Sequence, residues 1–508
     1  MKRVLTILLA LALTLAMALP AEADSYTITI NNTATGHTYQ AYQIFAGDLE
    51  TKDGKTLLTN ITWGSGVTKA GQAELGDAAA KAESLKIEAD AQAFAKKVAP
   101  HLTNPTESAA GTGVYTISGL QAGYYLVKDK DNTLTDADDF YTAYLMEVVG
   151  NVTATPKGDK PTLDKQIKHN ESGNWEVVGD NQIGDTVEFR TITTVPDTVG
   201  YEQYDYIIYD TMSVGLTSNV KGTGDVTIKV NDAGDALDTT YYTVTASGNT
   251  FSVKIDILKA IRDGKMKKGD KLYTYYTGVL NAEAKVYDEG MQDNTAFLEY
   301  SNNPNVTNDK GKTPEKKVYD WTFKMGVNKV NESNDSITGA KFVLSRKGTL
   351  TVSSLNCDDQ GEPTVTTDLI GLVAVEGGYR VAVEGDTNIV YVINAGSAVI
   401  KGLDDAVDYY LYETKAPQGF NLLKEPVQFK ITAQYNADGS ALAAGSPTVT
   451  IGTGASSATL STDVINKAGA ELPSTGGIGT TVFYVVGGLL VAVAVVLLVT
   501  KKKMSVNK

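Results

Sequence analysis

The chain has 508 residues and a net charge of −15, a balance that argues against nucleic acid and anionic membrane surfaces as partners. Its one cysteine, Cys357, has no internal partner, and its three histidines, His37, His101 and His169, are far apart in sequence. With no metal-ligand spacing, phosphate loop or nucleophile–histidine pair, neither a metal, a cofactor nor ordinary metabolic catalysis is expected.

At the start, Lys2 and Arg3 precede an apolar run from Val4 to Leu19, then Pro20-Ala21-Glu22-Ala23. This is a secretory signal with a small-x-small cleavage site, expected to be cut after Ala23. The chain is therefore expected to be exported. An exported protein that can make no internal disulfide either needs no covalent support or uses another kind.

Without signal and tail, about 450 residues remain, enough for about three domains. The body is rich in Thr, Val, Tyr and Gly, with short alternating runs punctuated by Asn, Asp and Gly. That pattern predicts an all-β chain of tandem antiparallel β-sandwiches. Residues 68–99, rich in Ala, Lys and Glu, predict a helical insertion in the first domain. Pro, Gly and charge without apolar alternation mark joints at 153–165 and 301–317. The expected divisions are a signal at 1–23, domains at 24–157, 158–314 and 315–470, and a tail at 471–508. An internal similarity links "YTISGLQAGYYLVKD" in the first domain with "AVIKGLDDAVDYYLYET" in the third, setting Lys128 where Glu413 stands.

Several polar residues fall on inward faces. In "WTFKMGVNKV", Trp321, Phe323, Met325, Val327 and Lys329 share a face by the two-residue period. In "YYLYET", Tyr409, Leu411 and Glu413 do so, and in "TDVINKAG", Val464 and Asn466. Singly each has a plain structural reading, the lysine as a strand-end side chain reaching water and the set as a hydrogen-bonded network. Together they compose a reaction. Burial favours a neutral amine on Lys329 and a neutral acid on Glu413. The amine attacks the side-chain carbonyl of Asn466 while the acid shuttles protons to the leaving ammonia, giving an intramolecular isopeptide bond. The second domain has a similar set: Leu163, Lys165 and Ile167; Tyr206, Ile208 and Asp210; Ala296, Leu298, Tyr300 and Asn302. The first domain opens on "SYTITI", without a lysine, and no such bond is expected there.

The tail reads Leu472-Pro473-Ser474-Thr475-Gly476, then 23 uncharged residues from Ile478 to Thr500, then Lys501, Lys502 and Lys503. The apolar run is long enough to span a bilayer, with the lysines on the cytoplasmic side.

These features resemble known families. The tail resembles the sorting signal of Gram-positive surface proteins, which implies cleavage between Thr475 and Gly476 by a sortase and transfer of the threonyl carbonyl to an amine. Tyr409-x-Leu411-x-Glu413-x-x-Ala416-Pro417-x-Gly419-Phe420 resembles the E-box of Cna B-type domains in Gram-positive pilins, with Phe420 in place of the more usual Tyr. That resemblance implies Ig-like Cna-type sandwiches and a Lys329–Asn466 bond with Glu413 as catalyst. The second domain resembles the middle domain of backbone pilins, implying Lys165–Asn302 assisted by Asp210, with Asn303 and Glu188 open as alternatives.

In "NVTATPKGD", Pro156-Lys157 at the end of the first domain resembles the pilin motif, although Ala154 and Thr155 replace its usual Val and Tyr. The resemblance, which includes "YQAYQIFAGDL" at 39–49, spans nearly the whole chain. It implies a backbone pilin in which a class C sortase joins Thr475 of one copy to Lys157 of the next, Lys160 being the nearby competitor. Its expected partners are other copies of itself, that sortase, a housekeeping sortase and peptidoglycan, with minor pilins and host surfaces beyond them. The alternative is a monomeric wall-anchored adhesin or minor pilin. Both place the chain on the cell wall after a transient stay in the plasma membrane.

Overall fold

The computed structural model describes residues 25–86, 88–109, 112–131, 143–154, 160–198, 201–302, 309–469 and 478–505. The chain is mostly β, and its sheets come in pairs drawn from three successive stretches of sequence. Strict alternation builds the strands. In Lys271–Leu280, Leu272, Thr274, Tyr276, Gly278 and Leu280 are buried, and in Gln292–Ser301 the same period buries Gln292, Asn294, Ala296, Leu298 and Tyr300.

The first stretch pairs a sheet holding Tyr26–Thr35, Thr112–Leu120 and Val152–Ala154 with one centred on Tyr39–Lys52. Its helical insertion is three short helices, Lys69–Leu75, Ala78–Ser84 and Glu88–Val98. Thr68 caps the first through its side chain (Gly71 N–H to Oγ1, 3.1 Å). Gly76, at φ 86°, ends it, and Asp77 starts the next by accepting from the Ala80 N–H at 2.8 Å. Phe94 and Val98 then pack on Tyr42 and Phe45 of the sheet.

In the second stretch, one sheet contains Leu163–Lys168, Thr186–Thr194 and Lys271–Leu280, and the facing sheet Tyr206–Met212, Gln292–Ser301 and Lys316–Trp321. The third stretch sets Phe323–Val330 in parallel with Ser461–Ile465, so that Lys329 pairs with Val464. Its second sheet holds Ala340–Ser345 and Asp408–Lys415.

One expected boundary is displaced. A division at 314/315 assigns Lys316–Trp321 to the third domain, yet that strand pairs with Gln292–Ser301 and with Val178–Asp180. The chain changes sheets at Thr322, after Trp321 has turned inward to donate its indole N–H to the Gly439 carbonyl (3.0 Å).

The second and third stretches share one continuous apolar core, in which Ile183, Trp321, Phe323 and Leu403 all lie. Their contact is close: the Ile183 N–H donates to the Gly402 carbonyl at 3.0 Å. Gly402 sits at φ 87°, and a Cβ there would come within 2.6 Å of the Ile183 side chain, so any other residue would be strained and would push Ile183 aside. At the C-terminus a single helix, Ile478–Ser505, is long and apolar enough to cross a membrane, its apolar run ending at Lys501, Lys502 and Lys503.

Candidate functional site

Lys165 and Lys329 are the two buried lysines among the described residues, 1 % and 0 % exposed. Each stands at a different constellation of polar groups.

Around Lys329, adjacent parallel strands bring the first and last segments of the third stretch together. The Lys329 ammonium donates to the Val464 carbonyl, two residues before Asn466, and the Asn466 N–H donates to the Val330 carbonyl at 3.1 Å. The Asn466 side-chain amide donates to Glu413 Oε2 at 3.0 Å and to the Asn421 carbonyl at 2.9 Å. The same Glu413 oxygen accepts the Leu423 N–H at 2.8 Å. Glu413 is 2 % exposed and Asn466 fully buried. Burial holds the Lys329 amine below the usual lysine range, partly offset by the Glu413 charge. Burial also pushes the Glu413 carboxyl up, against the pull of the Leu423 and Asn466 donors. Both shifts favour the uncharged pair that amide exchange requires. Lys329, Glu413 and Asn466 are thus gathered as the two-residue period predicts.

The second constellation differs from the expected one. Lys165 hydrogen-bonds to Asp210 Oδ2 and to the Tyr276 hydroxyl, which itself donates to Asp210. The Asn294 side chain donates to that hydroxyl at 3.4 Å and also bears on Asp210. Lys165 lies beneath the rings of Phe189 and Tyr276. Burial drives the Lys165 amine down and the Asp210 carboxyl up, while their mutual attraction opposes both shifts.

The expected partner, Asn302, is not among these groups. On the Gln292–Ser301 strand, Ala296 pairs with Asp210 and Asn294 with Met212. Asn302 lies six residues past Ala296, a run of about 20 Å along the strand. Asn294 shares its inward face and stands at the right end. Of the alternatives, Glu188 is exposed and ion-paired with Lys168 at 2.6 Å, and Asn303 lies outside the described residues. Tyr276, which no sequence argument selected, is placed by the alternation of its own strand.

Among the described residues of the first stretch the buried polar groups are His37, Gln40, Ser108 and Asp129, with His37 Nδ1 2.7 Å from Asp129. Lys128, at the position matching Glu413, pairs with Asp131 at 2.6 Å near the surface. Lys157 and Leu472 to Gly476 lie outside the described residues, and Lys160 is exposed.

Comparison with known proteins agrees with this architecture. Residues 323–440 match the SpaA prealbumin-like fold domain, and residues 465–505 match the LPXTG cell wall anchor motif. The chain is 27 % identical over 444 residues to the fimbrial subunit type 1 of Actinomyces viscosus, covering 79 % of this chain and 77 % of that protein. The T6 backbone pilin of Streptococcus pyogenes superposes with a TM-score of 0.51 at 16 % identity, over 89 % of this chain and all of that one. The chain is a homologue of a fimbrial subunit, carrying a SpaA prealbumin-like domain and a Gram-positive LPXTG anchor that holds it at the cell wall.

Proposed function

We propose that this fimbrial homologue is the backbone subunit of a covalent surface pilus, stiffened inside by two isopeptide bonds, Lys329–Asn466 and Lys165–Asn294. The observation that carries the proposal is the meeting of Lys329, Glu413 and Asn466 in a buried core. In each bond the uncharged Lys amine attacks the Asn Cγ, the Cγ–Nδ2 bond breaks, and one ammonia leaves. Glu413 or Asp210 polarises the carbonyl and carries the proton from the attacking to the departing nitrogen. Chain export and the LPXTG segment present Thr475 to a sortase, which passes its carbonyl to Lys157 on the next copy. Repetition is head-to-tail and open, so a filament follows. A housekeeping sortase then attaches the base to peptidoglycan, and the anchored fibre serves in adhesion. In this scheme the three units are divided near Lys157 and at Thr322.

Boiled cell-wall extracts, probed with antibody to the chain, test the polymer. A high-mass ladder lost in Lys157→Ala supports it. A ladder that persists in Lys157→Ala rejects this acceptor, and a single wall-linked band in the wild type leaves a monomeric adhesin or minor pilin.

A further inference from the structure

Between the second and third stretches lies a group of acids that the isopeptide chemistry does not use. Asp180 ends the strand Val178–Asp180, Asp404 and Asp405 form the turn between Ser397–Leu403 and Asp408–Lys415, and His169 and Glu171 follow Leu163–Lys168. Asp180, Asp404 and Asp405 are 0 %, 1 % and 4 % exposed.

We propose that Asp180, Asp404 and Asp405, with His169 and Glu171 at their rim, form a divalent-cation site that takes Ca2+ and clasps the second unit to the third.

Spacing is the first argument. One carboxylate oxygen from each of the three aspartates lies within 4.8 Å of the others, and His169, Glu171 and Asp180 form a second such group around the same hub. Calcium ligands stand at about 2.4 Å, so oxygens on opposite sides of one ion are about 4.8 Å apart.

Unmet bonding capacity is the second. One oxygen of each aspartate is held in place: Asp180 Oδ2 by the Tyr435 hydroxyl at 3.1 Å, Asp404 Oδ2 by the Asn170 amide at 2.8 Å, and Asp405 Oδ2 by the Ala433 N–H at 2.7 Å. Asp180 Oδ1 and Asp404 Oδ1 are buried and meet no donor other than the neighbouring carboxyls of the trio. So is Oδ2 of Asp320, the next acid over, whose charge also bears on Asp180. Outer donors that orient carboxylates and leave their inner oxygens open are the usual surroundings of a metal ligand set.

Charge is the third. The positive groups against these acids are Arg346, 3.3 Å from Asp404, and His169, 3.4 Å from Asp180. Three buried carboxyl groups, with Glu171 and Asp320 beside them, thus face only these two positive groups among the described residues. An oxygen-only trio selects a hard cation. Ca2+ tolerates an irregular carboxylate set, whereas Mg2+ demands near-ideal octahedral geometry and keeps its water. The position explains the use: each proposed isopeptide bond closes within one unit, and a bound ion would add a strong link between the two beside their shared apolar core.

Terbium luminescence on the full chain, purified in detergent and stripped with EDTA, tests the site. Tyr435 touches Asp180, and its ring lies 6.0 Å from Trp321, so both can sensitise a bound Tb3+. The expected result is emission on ultraviolet excitation that added Ca2+ displaces. Affinity should fall at least about tenfold in Asp180→Asn and in the Asp404→Asn, Asp405→Asn double variant. Tyr435→Phe, which keeps the ring and removes only the donor, should weaken binding about tenfold. Absence of sensitised emission from the wild type overturns the proposal, and so does unchanged affinity in these variants. Loss of ammonia at the two Lys–Asn pairs, read by mass on the same sample, is independent of the outcome.

Discussion

Lys165 and Asn294 meet on one atom, the hydroxyl oxygen of Tyr276, to which both side chains donate. That hydroxyl passes its own proton toward Asp210, so amine, amide and acid are joined through a single tyrosine.

Mass spectrometry separates this arrangement from the Asn302 pairing. Each bond releases one ammonia, about 17 Da, so two bonds leave the intact chain about 34 Da light. Asn294→Ala should abolish one of the two losses, and Asn302→Ala should leave both. If the deficit survives Asn294→Ala and disappears in Asn302→Ala, the pairing proposed here is wrong.

Tyr276→Phe should slow the middle bond without touching the other. The ring still fills its place beside Phe189 and Phe251, but Lys165 loses the donor–acceptor that fixes it beside Asp210. Misplacement of a reacting group by about 1 Å costs about a hundredfold in rate. A time course of mass after synthesis should show Lys329–Asn466 forming at the wild-type rate and the middle bond lagging.

Much of this was legible in sequence because strands alternate. The period that buries Phe323, Met325 and Val327 also buries Lys329, and the same rule placed Glu413, Asn466, Lys165 and Asp210. Where it failed, it failed along the strand and not across it. Asn294 and Asn302 share a face, and only the register opposite Asp210 distinguishes them; register is a property of paired strands, which no single strand's pattern reveals. The displaced joint has a similar cause. Lys316–Trp321 looks like the start of the next unit because Trp321 keeps the alternation of the strand after it, while its hydrogen bonds run back to Gln292–Ser301. The acids around Asp180 were invisible for another reason: more than 220 positions separate Asp180 from Asp404, and only the packing of two units brings them together.

Glu413→Gln isolates Lys329 as a titrating group. With no acid to move protons the third-unit bond should not form, and the mass should show one ammonia retained. Lys329 then remains a buried amine with its pKa held below the unfolded value of 10.5 by burial, now without the opposing carboxylate. Between the two values the unfolded chain binds more protons than the folded one, so stability rises with pH until it levels off above about 10.5. In the wild type the nitrogen is an amide and this slope should be missing. Chemical denaturation at stepped pH measures it, and identical slopes in the two proteins would mean that the wild-type amine is free.

Two ways of removing the same bond should differ in cost. Lys329 and Asn466 are 137 positions apart (466 minus 329), and closing a loop of that length stabilises by about 5 kcal/mol in the chain-entropy model. Lys329→Met and Asn466→Ala both forfeit that. Lys329→Met puts a flexible apolar chain into the slot beside Val464, so little else is lost. Asn466→Ala leaves the amine buried with its partner gone and Glu413 without its Asn466 donor, a further cost of about 1–3 kcal/mol. Denaturant midpoints on the full chain should therefore fall in the order wild type, Lys329→Met, Asn466→Ala. A Lys329→Met protein as stable as the wild type would show that no covalent link had been there to lose.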